Sequence, residues 1–378
     1  MRFRLQFLAY FAVFSAAVLF HPTFTYAQHY VQTNLVSDGF IPAVTTDGNL
    51  SNPWGLTRTD GIPWWVADNN TGVSSLYDFQ GHIIPLDPPT SAVAVIPPPK
   101  GGTPPSAPSG TIFNGTNDFN VTPGNPAFFI FVTEDGTISG WNPAVDPVNA
   151  ILKVDNSHPK EGASAVYKGC TIAQVDGKNV LLVTNFRTGR IEEYSADFKP
   201  VHLSEDQFDD DRIRDNFSPF NVQTVGRVVV VTYAKQDAPK HDPVGGVGLG
   251  FVDVFSTEGK LLSRMEHGDW FSAPWGITLT PQDFGFFSNT LLIGNFRGGQ
   301  LLAFDPFDGH FLGHVLDANG KQLVIDGLWA LAFGDGNTQA GGAGPANTLF
   351  FTAGPGGEKH GLFGSLTPVA AEQNNGEQ

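Results

Sequence analysis

A chain of 378 residues with 21 basic and 37 acidic side chains carries a formal charge of −16 at pH 7. A surface of that sign repels phosphate backbones and anionic lipid, which argues against nucleic acid or a polybasic membrane contact. The single cysteine, Cys170, excludes an internal disulfide, so stability must come from burial, and 32 Phe and 7 Trp can supply it.

Arg2 and Arg4 precede an apolar run from Leu5 to Phe20, and Thr25-Tyr26-Ala27 offers a small-residue cleavage site. Residues 1–27 are therefore expected to be a secretory signal peptide, with release into the periplasm or the medium. The apolar run falls short of the roughly 20 residues that span a bilayer, and no later segment is apolar enough to do so.

From residue 28 onward a pattern returns at roughly 50-residue intervals, the mark of a propeller or an array. Each unit opens on a short strand. The six anchors are Pro53-Trp54-Gly55-Leu56, Asp118-Phe119-Asn120-Val121, Tyr167-Lys168-Gly169-Cys170, Pro219-Phe220-Asn221-Val222, Pro274-Trp275-Gly276-Ile277 and Leu328-Trp329-Ala330-Leu331. Two or three further apolar runs, separated by Gly, Pro, Asn and Asp, follow every anchor and complete an antiparallel meander. Pro97 to Ser109 reads as a Pro-rich surface connection, and Lys235 to Gly248 and Gly334 to Ala346 as Gly-rich loops. The sixth unit runs out after three strands. Tyr30 to Val36 is strand-like and stands ahead of the first unit, so pairing it as the outer strand of the last blade would remove an exposed edge. The expected fold is all-β, a six-bladed β-propeller of four-stranded antiparallel blades over residues 28–367, followed by a polar tail at 368–378.

The stretches SNPWGL, LLVTNFRTGRIEEY, SAPWGITLTP and LLIGNFRGGQLLAFDP resemble the NHL-type propellers and, more closely, a family of secreted bacterial six-bladed propellers of unknown function. Some members of that family end in a PEP-CTERM sorting segment, which this chain lacks. The resemblance implies a fold and no activity. Lactonases of similar shape carry Pro-Asn-Gly where this chain has Pro-Trp-Gly, and that Asn is a metal ligand there. Indole offers a cation no lone pair, so the expectation is no metal and no cofactor.

By the same resemblance the second anchor position faces the channel, which predicts a ring of Trp54, Phe119, Lys168, Phe220, Trp275 and Trp329. Such a ring either plugs the axis or floors a ligand site. Residues after the second strands, among them Asp68, Asn185, Arg187, Asn295 and Arg297, are expected at the mouth. The two Asn-Phe-Arg triplets either hold turns or grip an anion. His158, Glu161, His267, Asp269 and Asp326 belong to loops entering that face. No Gly-x-Ser-x-Gly, His-Glu-x-x-His or phosphate loop occurs. The expected role is a monomeric ligand-binding or protein-interaction module that meets a small molecule, glycan or protein at the channel mouth. The alternative is a hydrolase or lyase acting on a lactone, sugar or related small molecule.

Overall fold

Six sheets stand around one axis in a computed structural model that describes residues 29–369, apart from 88–90 and 160–161. The expected signal peptide lies outside the described residues. Each is built on a four-stranded antiparallel meander, to which short strands add in two of the six, so the fold is a six-bladed β-propeller. The innermost strands of blades 1 to 6 are Pro53–Thr57, Pro108–Phe113, Tyr167–Val175, Phe217–Val225, Pro274–Leu279 and Leu328–Phe333.

Apolar side chains alternate along these strands and fill the wedges between blades. Each blade interface has its own buried cluster, such as Trp65, Phe129 and Trp141 between blades 1 and 2, or Leu292, Leu328 and Phe351 between blades 5 and 6. A separate cluster occupies the axis. In all six blades the register between first and second strands slips at the anchor, for example between Pro53 and Leu56. A bulge there bends the strand and re-aims a side chain, which turns the second anchor residue towards the axis.

The anchor glycine has a steric cause. A Cβ at Gly55 would lie 2.7 Å from the Ser109 carbonyl oxygen, at Gly110 2.9 Å from that of Lys168, and at Gly276 2.7 Å from that of Trp329. Innermost strands of neighbouring blades approach so closely that no side chain fits between them.

One anchor differs from the sequence expectation. Blade 2 begins with Pro108-Ser109-Gly110, not with Asp118-Phe119-Asn120. Residues Asn120–Thr122 instead form a two-stranded ribbon with Asn125–Pro126 in the loop that follows. The Pro-rich connection therefore ends in an innermost strand, and Ser106 is already buried.

Closure follows the expected scheme. His29–Ser37 pairs antiparallel with Leu362–Pro368, from Tyr30 opposite Pro368 to Ser37 opposite Leu362, as the outer strand of blade 6. Blade 4 carries an addition: its second strand reaches Gln236, and Pro243–Val244 folds back to pair with it. The segment read as a Gly-rich connection is thus a strap laid across the end of the channel. No helix among the described residues is long and apolar enough to cross a membrane.

Candidate functional site

The axis is closed by rings. Trp54 stacks on Trp329 with centroids 3.6 Å apart, and Phe296 stacks on the other face of Trp329 at 3.7 Å. Trp275 meets both indoles edge-on at 6.2 and 5.8 Å, while Phe220 packs at 6.2 Å from Trp54 and 6.0 Å from Trp329. All five are buried, and the Trp329 indole donates to the Asn52 side-chain oxygen at 3.1 Å. Of the two readings of the ring, the plug is what the packing shows. Phe119 is absent from it and packs against Phe198 at 5.5 Å between blades 2 and 3. Its expected place is taken by Ser109, whose hydroxyl donates to the Val132 and Tyr167 carbonyls.

The plug divides the channel. On the side where the innermost strands end lies a cup of about 500 Å³, walled mainly by uncharged residues such as Leu56, Ile112, Gln223, Leu279, Ala332 and Phe333. On the other side, where the innermost strands begin, the mouth is charged.

Lys168 is completely buried at the base of the mouth. Its ammonium bonds the Glu134 carboxylate, lies 3.8 Å from Asp242, and stands 4.7 Å over the Trp54 ring. Full burial of a lysine requires such partners, since an unpaired ammonium would incur its whole desolvation cost. Glu134 follows the second strand of blade 2 and accepts from the Asn69 amide at 2.9 Å. Asp242 sits on the strap beside His241, whose Nδ1 is 2.8 Å from the Asp242 carboxylate. That hydrogen bond is the main reason the imidazole is raised above its ordinary value and the carboxyl held below its own. Arg297, against which Gly245 of the strap is seated, reaches Glu358 at 3.1 Å and lies over the Phe296 ring. Burial raises the Glu358 carboxyl, against the pull of Arg297 and with the push of Glu134.

Other expected mouth residues face elsewhere. Asp68 turns into blade 1, where the Ser75 hydroxyl and N–H donate to it at 2.6 and 3.1 Å, and burial drives its carboxyl well above the usual range. Asn185 and Asn295 act alike as clasps: their oxygens accept from the Val166 and Ser272 N–H groups at 3.3 and 3.0 Å. Their amides donate to Glu192 and to the Trp270 carbonyl. Arg187 is tied to Ser164. Within the two Asn-Phe-Arg triplets, then, Asn holds the turn, Phe186 and Phe296 join the plug, and only Arg297 meets an acid across the mouth. Among the loop residues, His267 stacks on Phe251 and Asp326 accepts the Gly356 N–H at 2.9 Å. Glu161 lies outside the described residues.

Sequence reasoning missed His241, Asp242, Glu358 and Asn52. The first two sit in a segment whose glycines suggested a connector, and nothing in their spacing marks them. Ser109 was recoverable: Pro108-Ser109-Gly110 keeps the Pro and Gly of the strongest anchors, and using it gives even intervals of 55 and 59 residues in place of 65 and 49.

No family model matches the chain. An uncharacterized protein of Acanthamoeba polyphaga mimivirus is 28% identical over 340 residues, covering 88% of this chain and 78% of that protein. Among solved structures, a streptogramin B lyase superposes with a TM-score of 0.50 at 12% identity, covering 90% of this chain and 98% of that one. A structural genomics protein of unknown function from Bacteroides thetaiotaomicron gives a TM-score of 0.53 at 10% identity, over 90% and 76%. At these identities the structural likeness speaks for the propeller and for no activity.

Proposed function

We propose that the protein is an exported binding module that takes a small polar ligand at the charged mouth of its channel. Export is the reading of the basic and apolar segment at residues 1–27. The observation carrying the binding reading is Lys168, fully buried at the base of the mouth yet engaged by carboxylates from two other blades. Around it, Arg297, His241, Glu358 and Asn69 gather donors and acceptors above the aromatic plug. Converging polar groups over an apolar floor are a usual feature of small-molecule sites.

Calorimetry of the full chain against sugars, sugar acids and amino acids tests this reading. Saturable binding is expected for at least one class, and Arg297→Ala, whose side chain is partly exposed, should weaken it by about tenfold while the chain still melts cooperatively. Heat changes indistinguishable from dilution across the panel would remove the mouth as a ligand site.

A second reading, hydrolysis or elimination on a lactone or sugar, draws on one feature. His241 is paired with Asp242 and lies near Glu134, an arrangement able to take and return a proton. Turnover of a chromogenic ester or lactone lost in His241→Gln would favour it over simple binding.

A further inference from the structure

We infer that the mouth is a divalent-cation site formed by Glu134, His241 and Asp242. One donor atom from each residue lies within 4.8 Å of the other two, so the three can share an ion. This inference rests on the mouth being the binding site and names what binds there first.

The donors come from two independent elements that are both held in place. Glu134 is fixed at the end of a buried strand, with Asn69 donating to it at 2.9 Å. His241 and Asp242 ride on the strap, where the Asp237 carboxylate accepts both of their N–H groups, at 2.8 and 3.2 Å. His241 Nδ1 lies 2.8 Å from the Asp242 carboxylate, so an ion replacing the proton between them can bind both, with Nε2 keeping its hydrogen. Two carboxylates and one imidazole suit manganese, cobalt, nickel or zinc better than calcium, which prefers six to eight oxygens. Three protein donors leave further coordination positions for water or a ligand, as in open metal sites.

Lys168 gives this site an unusual property. Its ammonium already stands between Glu134 and Asp242. A carboxylate has about four acceptor positions, so Glu134 and Asp242 can face the ammonium on one side and a metal on the other. The two cations nevertheless repel each other at short range in a partly desolvated place. Lys168 therefore acts as a tethered competitor that weakens the site.

The test uses full-chain protein stripped with chelator and titrated with Co²⁺ by visible absorption and with Zn²⁺ by calorimetry. One ion per chain is expected, with Glu134→Gln and His241→Gln each weakening it by about tenfold or more. Lys168→Met should tighten binding by at least about tenfold, while Lys168→Arg, which keeps the charge, should leave it weak. Arg297→Ala removes a second cation whose charge acts on Asp242, so it should not weaken metal binding. Absence of binding in the wild type and in Lys168→Met overturns the site, and so does binding indifferent to Glu134→Gln and His241→Gln. If metal binding fails while Arg297-dependent binding of an organic ligand persists, this inference falls and the mouth reading stands. Should Lys168→Met not fold, the glutamate and histidine variants decide alone.

Discussion

Gly276 shows how a single atom sets the geometry of the axis. With the Trp329 carbonyl 2.7 Å from where a Cβ would be, Gly276→Ala must push two blades apart or bend a strand. Overpacking of this kind costs about 1–3 kcal/mol or more, and a lowered urea midpoint with an unchanged slope would show it. The anchor glycines were legible in the sequence. Their partners were not, because a glycine's neighbour across a blade interface leaves no local pattern. Phe119 falls off the axis because the anchor expected at Asp118-Phe119-Asn120-Val121 lacks the Pro and Gly that persist into blade 2 around Ser109. Asp253 supplies a second test at this scale. It is fully buried in blade 4, with Arg264 donating to one oxygen at 3.0 Å and no partner on the other. Burial raises its carboxyl to about 6, against the opposing pull of Arg264. Between the ordinary 3.8 and that value the folded chain binds the extra proton, so this group's contribution to stability falls as pH rises from 4 to 6. The full span is worth about 3 kcal/mol. Asp253→Asn should therefore gain on the wild type between pH 4.5 and 7.5 in urea unfolding, and a gap independent of pH would refute the assignment.

The strands themselves announced their order through apolar runs and turn residues, and five of the six innermost strands fall where the sequence placed them. Closure was legible too, since a fourth strand was missing at one end and a spare one present at the other. Removing residues 1–37 should expose the edge of Leu362–Pro368 and the buried faces under Tyr30, Leu35 and Val36. The expected outcome is a sharply lowered melting temperature and concentration-dependent aggregation, measured by calorimetry and light scattering; a shortened chain that stays monomeric and equally stable would show that the strand is dispensable. The strap was illegible for a physical reason. Its position depends on pairing of Lys235 with Val244 and on the seating of Gly245 against Arg297, contacts made between residues that no periodicity relates.

At the scale of the whole molecule, burial among the described residues is distributed: six interface clusters and one axial cluster rather than a single core. Composition anticipated this richness in Phe and Trp, and the anchor motif anticipated that three indoles would crowd the axis. What it left open was whether they enclose a space. The face-to-face packing of Trp54, Trp329 and Phe296 answers that, because rings 3.6 to 3.7 Å apart leave no room for a molecule between them. Nothing can thread this protein from end to end. A molecule at the charged end must depart by the route it came, and the cup behind the wall of indoles is out of its reach by diffusion, so the two ends face solvent as separate surfaces.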